Sequence, residues 1–311
     1  VKYCFCSLLW AGLAMAQSTA VLLTPDLNGR NVEAALYTAN DGDRKQLDQS
    51  INGRLVPLQA SETRVLSQSP NGRSTEIVVR KYDPSGQLAS TERTVTDEQK
   101  TPNGSVIHAT IYRSDANGTF QESERRTIES QTQGATSTSN VTISRPGLSG
   151  SFELAEKRDI VTTTEPNAIH ETESIQRPAQ NGQLAEAARQ IREEIKTAGK
   201  TTATTTSYEP DFTGQMNLTL QQVDTTSKGA DGSAVTQRNV YAPSVYGVAR
   251  DDRATAKLRE QEVIVRKEKN GAVTETTTVS RPSLADPNLL GPSSVASELV
   301  CTGKCQGPLQ P

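Results

Sequence analysis

The side chains in this 311-residue chain that could do chemistry are few: two histidines, a recurring glutamate, some aspartate-bearing turns and a closely spaced pair of cysteines. Nucleophilic catalysis needs a base within hydrogen-bond reach of its nucleophile. His108 and His170 lie in separate strand-like runs and at different places relative to their neighbouring glycines, so both read as solvent-facing strand residues. Glu92, Glu124 and Glu156 recur in register. Glycoside hydrolysis needs two unlike carboxylates in one cleft, and repetition supplies identical surroundings instead. No G-x-S-x-G, H-E-x-x-H or phosphate-cradling glycine loop occurs. The turns "SDANG" and "ADG" lack the aspartate spacing and distant glutamate of a calcium loop. Cys301 and Cys305, in "CTGKC", cannot complete a zinc tetrahedron, and they read as a small disulfide loop if the chain is exported. The expectation is a non-enzyme with no metal and no cofactor.

The elements that hold these residues are written in a repeat. Gly86, Gly118, Gly150, Gly182 and Gly214 follow one another at 32 residues (118 − 86, 150 − 118, 182 − 150, 214 − 182), and Gly247 follows at 33. Other columns travel with the glycine. Two residues after it stand Leu88, Phe120, Phe152, Leu184 and Met216, and seven before it Val79, Ile111, Ile143 and Ile175. Five before it a basic column runs Lys81, Arg113, Arg145, Arg177 and lapses to Glu209. Six after it Glu92, Glu124 and Glu156 lapse to Ala188, and six before it Tyr112 and Tyr208 could form a sparse platform with Tyr241.

Proline or aspartate followed by glycine is turn chemistry, since glycine supplies positive φ. A second break falls half a period away, as in "PNG" at 102–104 and "QGA" at 133–135. Between the breaks lie runs dense in Thr, Val, Ile and Tyr, which favour extended chain. Each copy is therefore expected to be one β-hairpin, and about seven copies an elongated, all-β antiparallel meander with irregular caps. The acidic and basic columns are expected to pair across strands on the wetter face. "QLAEAARQIREEIKT" (183–197) has helical spacing and helix formers, but repeat register makes it a strand.

Composition agrees with something thin. The chain is 33% hydrophobic and 4% aromatic, with 33 basic and 36 acidic residues, net −3, and its mean hydropathy is −0.57. No basic field favours nucleic acid. Residues 1–16 read as an export signal, with Lys2, an apolar stretch and an A-x-A site that places cleavage between Ala16 and Gln17. Residues 17–73 read as a degenerate N-terminal cap, 74–249 as the regular array, and 250–311 as a stretched last copy with a tail. No later apolar run is long enough for a spanning helix. A membrane barrel is disfavoured by the same sequence, because its strands alternate Thr, Glu, Arg and Gln rather than showing an apolar band with aromatic girdles.

"KYDPSGQL" (81–88) is similar to the Y-D-x-x-G-x-L phrase of bacterial YD-repeat (Rhs-type) proteins, and the whole chain looks like secreted bacterial β-hairpin repeat proteins. That resemblance implies hairpin stacking. The expected role is structural or interaction-mediating, secreted or in the periplasm or envelope, with the partner left open between an envelope protein and a polysaccharide. The alternative is a polysaccharide-binding module that uses the repeated strand face.

Overall fold

A computed structural model of the chain describes residues 18–25, 31–40, 43–52, 54–115, 117–179, 181–243, 256–283 and 289–302. The expected cleavage site at Ala16 and Gln17, Gly247 and Cys305 lie outside them. The described residues form eighteen strands: β1 (Ser18–Pro25), β2 (Asn31–Asn40), β3 (Arg44–Ile51), β4 (Arg54–Ser69), β5 (Gly72–Tyr82), β6 (Leu88–Thr101), β7 (Gly104–Ser114), β8 (Phe120–Gln133), β9 (Thr136–Pro146), β10 (Phe152–Thr164), β11 (Ala168–Pro178), β12 (Leu184–Thr197), β13 (Lys200–Pro210), β14 (Met216–Lys228), β15 (Ala234–Pro243), β16 (Ala256–Lys269), β17 (Ala272–Ser280) and β18 (Ser294–Thr302). The helix-like stretch is indeed a strand, β12, because hydrogen bonding to β11 and β13 along its length outweighs local propensity.

Each strand pairs antiparallel with its sequence neighbours, and β1 pairs with both β2 and β18. The sheet is therefore closed. This overturns the elongated meander: Thr19↔Thr302 through Leu23↔Glu298 join the two ends that were expected to remain apart as caps. Residues read as a cap contribute β1–β4, and those read as a tail contribute β16–β18. Two physical causes favour closure. An open sheet of this size would leave two long unpaired edges. Bulges also curl it: β5–β6, β7–β8, β9–β10, β11–β12, β13–β14, β15–β16 and β17–β18 each carry a register shift near the joining loop. In the regular copies the extra residue is Ser123, Ala155, Ala187 or Thr219, each five after its glycine. Where it bears a hydroxyl, that group caps the partner strand: Ser123 donates to the Ile111 carbonyl at 3.1 Å and Thr219 to the Ser207 carbonyl at 3.1 Å.

An even strand number puts both chain ends on one rim, where the connections 70–71, 102–103, 134–135, 198–199 and 270–271 are short. The opposite rim bears the longer loops 83–87, 115–119, 147–151, 179–183 and 211–215. Gly118 and Gly150 sit in these loops at φ 80° and 79°, a conformation that explains the repeat's anchor residue. At ~4.8 Å per strand and a tilt near 40°, eighteen strands give a cylinder about 35 Å across between backbones. Barrels of that strand number leave room for water along the axis.

Candidate functional site

Strand register sorts side chains onto two faces. The first face carries the apolar column Val79, Ile111 and Ile143, the carboxylates Glu92, Glu124 and Glu156, and Arg113, Arg145 and Arg177. The second face carries Tyr112, Tyr208 and Tyr241 together with Leu88, Phe120, Phe152, Leu184 and Met216. Two columns that look equivalent in sequence thus land on opposite sides. The bulge is the reason: it lies between the residue two after the glycine and the carboxylate six after it, and flips the alternation.

On the first face the columns form a ladder of ion pairs with one spacing. Arg113 donates to Glu92 at 3.2 Å, Arg145 to Glu124 at 2.8 Å, Arg177 to Glu156 at 2.9 Å and Arg281 to Glu260 at 2.7 Å, each pair 21 residues apart. Glu124 also accepts from Arg126, and Glu156 from Arg158 at 2.6 Å, while Arg158 reaches on to Glu173 at 3.2 Å. The expected pairing across strands is present, but not as an exposed fringe: Glu124 and Glu156 are only 4% and 6% exposed. Two guanidiniums per carboxylate satisfy the oxygens that burial would otherwise strand. The lapse fits the ladder too, since Ala188 and Glu209 are also 21 apart and depart from the pattern together. Further round, Arg238 bridges Asp224 at 3.0 Å and Glu262 at 2.9 Å on this face.

The residues singled out for catalysis do not converge. His108 is exposed on β7, within 3.2 Å of the Thr127 hydroxyl, and His170 is exposed on β11, four strands away. Tyr112 lies under the Arg93 guanidinium, 5.3 Å from its ring centroid, and Tyr208 is buried, so no continuous tyrosine platform forms. Cys301 is buried on the first face beside Ala20 and Leu299, and its expected partner Cys305 lies outside the described residues. Among the described residues no group of three or more His, Cys, Asp or Glu could hold a metal ion.

The aspartates of the long-loop rim are structural. Asp211 accepts the Thr213 amide at 2.8 Å, the Thr213 hydroxyl at 2.6 Å and the Gln215 amide at 3.0 Å, and Asp83 repeats the arrangement with Ser85 and Gln87. The Thr213 hydroxyl above all, then the loop amides and Asn217, hold the Asp211 carboxyl down at about 2. A depressed folded-state pKa contributes stability above the unfolded value of 3.8 that is lost as pH falls through about 2. Melting temperatures are therefore expected to drop between about pH 4 and pH 2, and Asp211→Asn should flatten that slope. Equal slopes in the two proteins would remove the assignment.

No family model matches the chain, and no curated protein does. Solved structures do. A multiply substituted Rh. blastica porin superposes with a TM-score of 0.53 at 7% identity, over 93% of this chain and 98% of the porin. The fold is that of a porin barrel. A second variant, a triple mutant of the Rhodopseudomonas blastica porin, gives a TM-score of 0.53 at 8% identity over the same shares. The likeness to YD-repeat proteins is overturned by these full-length superpositions: the hairpins stack as expected, but into a closed wall. The porin-like barrel contains the aromatic residues whose absence as a girdle had argued against it. Tyr112, Tyr208, Tyr241, Phe120 and Phe152 share the second face near the long-loop rim, although they come from two different sequence columns. Among the described residues no helix is long and apolar enough to cross a membrane, which says nothing of strands.

Proposed function

We propose that this chain is a passage-forming barrel of the outer membrane, with the first face lining a water-filled lumen and no catalytic role. The reading carries further than the open scaffold or the polysaccharide module, both of which needed free sheet edges or a flat repeated face. The single observation behind it is closure itself: a complete cylinder of eighteen strands wide enough for water. Three features support the reading. The first face is the more heavily charged and holds its buried carboxylates in pairs, as a polar lumen wall does. The connections are short on one rim and longer on the other. The opening residues read as an export signal.

The second face then meets lipid, and its pattern sets the depth. Near the long-loop rim it carries the aromatic and leucine girdle. Below this comes a basic column, Arg93, Arg125, Lys157 and Arg189, each held against a carboxylate: Glu76 at 2.6 Å, Glu122 at 2.5 Å, Asp159 at 3.1 Å and Glu186 at 2.7 Å. Val95, Thr127, Ile191 and Val223 follow, opposite Thr110, Thr142, Thr206 and Thr204, with Asp159 and Glu76 the charges at this level, before Asp97, Glu129 and Glu193 near the short-turn rim. An unpaired Arg or Lys at mid-bilayer costs about 2–4 kcal/mol, falling to about 0–1 near the interface. The pairing and the rim positions reduce that penalty, and the charge-poor belt between the columns is only about 10 Å deep. Such a belt calls for a thin or locally thinned bilayer.

Purified protein added to planar bilayers of short-chain lipid is expected to give discrete, ohmic conductance steps. Failure to insert in short-chain and long-chain bilayers alike, with circular dichroism still showing folded β-sheet, would overturn the reading.

A further inference from the structure

The wall is not equally complete round the barrel. β1 and β18 are joined by five residue pairs, from Thr19↔Thr302 to Leu23↔Glu298, whereas β7 and β8, or β13 and β14, are joined by eleven. Beyond Leu23 the two strands part. Thr24 and Pro25 go on pairing with β2, and Ser294, Val295 and Ser297 with β17, but no pair joins the two edges among the described residues. Pro25 has no amide hydrogen to offer across the break. The connection after β17 is tied back on its own hairpin, where the Gly291 amide donates to the Arg281 carbonyl at 2.8 Å.

A recess of about 560 Å³ occupies this gap. Thr24, Val279 and Ser294 line it from the first face, Pro25 and Val295 from the second. A recess lined by both faces of one sheet marks an opening through that sheet. Register gives its depth: Val295 stands opposite Thr278, three residues before Arg281, as Arg125 stands opposite Thr110, three residues before Arg113. The gap therefore opens below the aromatic girdle, at the level of the outer basic column, with valine where that column has arginine or lysine. Its lumen side is uncharged as well. β18, β1 and β2 are the strands whose first face carries no charged residue, and every other strand carries at least one. Arg281 is the one charged residue lining the recess, and Glu260 accepts from it at 2.7 Å. Glu298 and Glu33 flank Leu23 at the lower lip on the second face, so nothing at the opening matches an anion.

We propose that this gap is a side exit, through which an uncharged solute with a long hydrocarbon chain, a fatty alcohol for example, leaves the lumen for the bilayer. Its hydroxyl meets Thr24 and Ser294, and its chain runs along Pro25 and Val295. The proposal rests on the reading of the barrel as a membrane passage with the first face inside. Unpaired backbone at membrane depth is tolerated where it borders a water-filled cavity, and the lumen supplies that cavity on one side of the gap. A hydrated ion gains nothing at the apolar outer lip, where it would have to shed its water.

The test places the barrel in phosphatidylcholine vesicles with hexadecanol that carries a photoactivatable diazirine in its chain, and maps the cross-links by peptide mass spectrometry. Label is expected on Thr24, Val279 and Ser294 of the first face as well as on Val295. It should exceed, several-fold, the label on first-face positions far from the gap, Ile128 and Val141. Val295→Arg combined with Ser294→Trp fills the gap at two exposed positions. That variant should lose the Val279 label several-fold, while the label on Phe120 and Phe152 and the ionic conductance stay as in the parent. Label confined to the second face, or spread evenly round the first, would overturn the proposal, as would a Val279 label that survives the double substitution. Planar-bilayer recordings separate the two readings. A conducting barrel labelled on its second face alone keeps the passage and loses the side exit. A barrel labelled on Val279 that never conducts keeps the opening through the wall and loses the passage.

Discussion

Deleting residues 113–144, one full repeat, is expected to leave a folded, closed barrel of sixteen strands whose conductance is lower by about a fifth. The expectation follows from how each repeat is joined to the next. Residue 145 is the arginine of the same column as Arg113, so after the deletion Arg145 stands where Arg113 donated to Glu92. The hybrid strand, Gly104 to Tyr112 followed by Arg145 and Pro146, presents Ile111 in the place of Ile143, opposite Glu156. Every hydrogen-bond register and the loop at 147–151 are then inherited intact. Diameter grows roughly linearly with strand number, so the lumen area scales as about (16/18)², which gives the drop of about a fifth. Removing half a repeat should behave differently. Taking out residues 129–144 leaves an odd number of strands, and an antiparallel ring cannot close on an odd number without a parallel seam. That variant should lose its cooperative melting transition. Circular dichroism melts and planar-bilayer recordings on the two deletions decide the matter: an unfolded full-repeat deletion, or one with unchanged conductance, would contradict modular closure.

The same contrast explains what could be read from the sequence. Turn glycines, strand alternation and the repeat period are local signals, carried within a single copy by residues such as Gly118, Ile111 and Thr110. They specify each hairpin and its neighbours, and the strands, their order and even the β12 assignment follow from them. Closure is not local. It depends on twist and curl summed over eighteen strands, and the pair that seals it, β1 with β18, is drawn from the two segments outside the regular array. The faces were hidden for a related reason. A residue such as Ser123 or Ala155 shows nothing in sequence to mark it as a bulge, yet it moves Phe120 and Glu124 to opposite sides of the wall. Without that shift the carboxylate column cannot be seen to lie with the isoleucines, whereas the tyrosine and phenylalanine columns meet on one face through the loop register, with Ser114 opposite Phe120 and Tyr112 opposite Glu122 before the bulge. The acid–base pairing, by contrast, was legible as two columns. Its fixed offset of 21 residues became evident only with the contacts.

That offset yields the second large effect, expected as a coupling rather than as a single loss. Glu156 is 6% exposed and takes both Arg158 and Arg177. Glu156→Ala strands neither completely: Arg177 is 58% exposed and can turn to water, and Arg158 keeps Glu173. The cost should therefore sit below that of a fully buried broken pair, at about 1–2 kcal/mol, or a fall in melting temperature of roughly 2–3 °C for a protein of this size. Arg177→Glu alone should cost at least as much, because it sets a second carboxylate against Glu156, which would then be left with Arg158 alone. The double substitution E156A/R177E reproduces what the next rung already contains, Ala188 with Glu209, inside the same barrel. It should be milder than the sum of the two single changes by about 1–2 kcal/mol, since it removes the repulsion and leaves Arg158 with Glu173. Thermal or denaturant melts of the parent, both single variants and the double variant close the cycle. Simple additivity would mean that the joint lapse at Ala188 and Glu209 has nothing to do with the ladder. A favourable coupling of that size would identify the carboxylate–guanidinium rungs as the contacts that fix one repeat's register against the next.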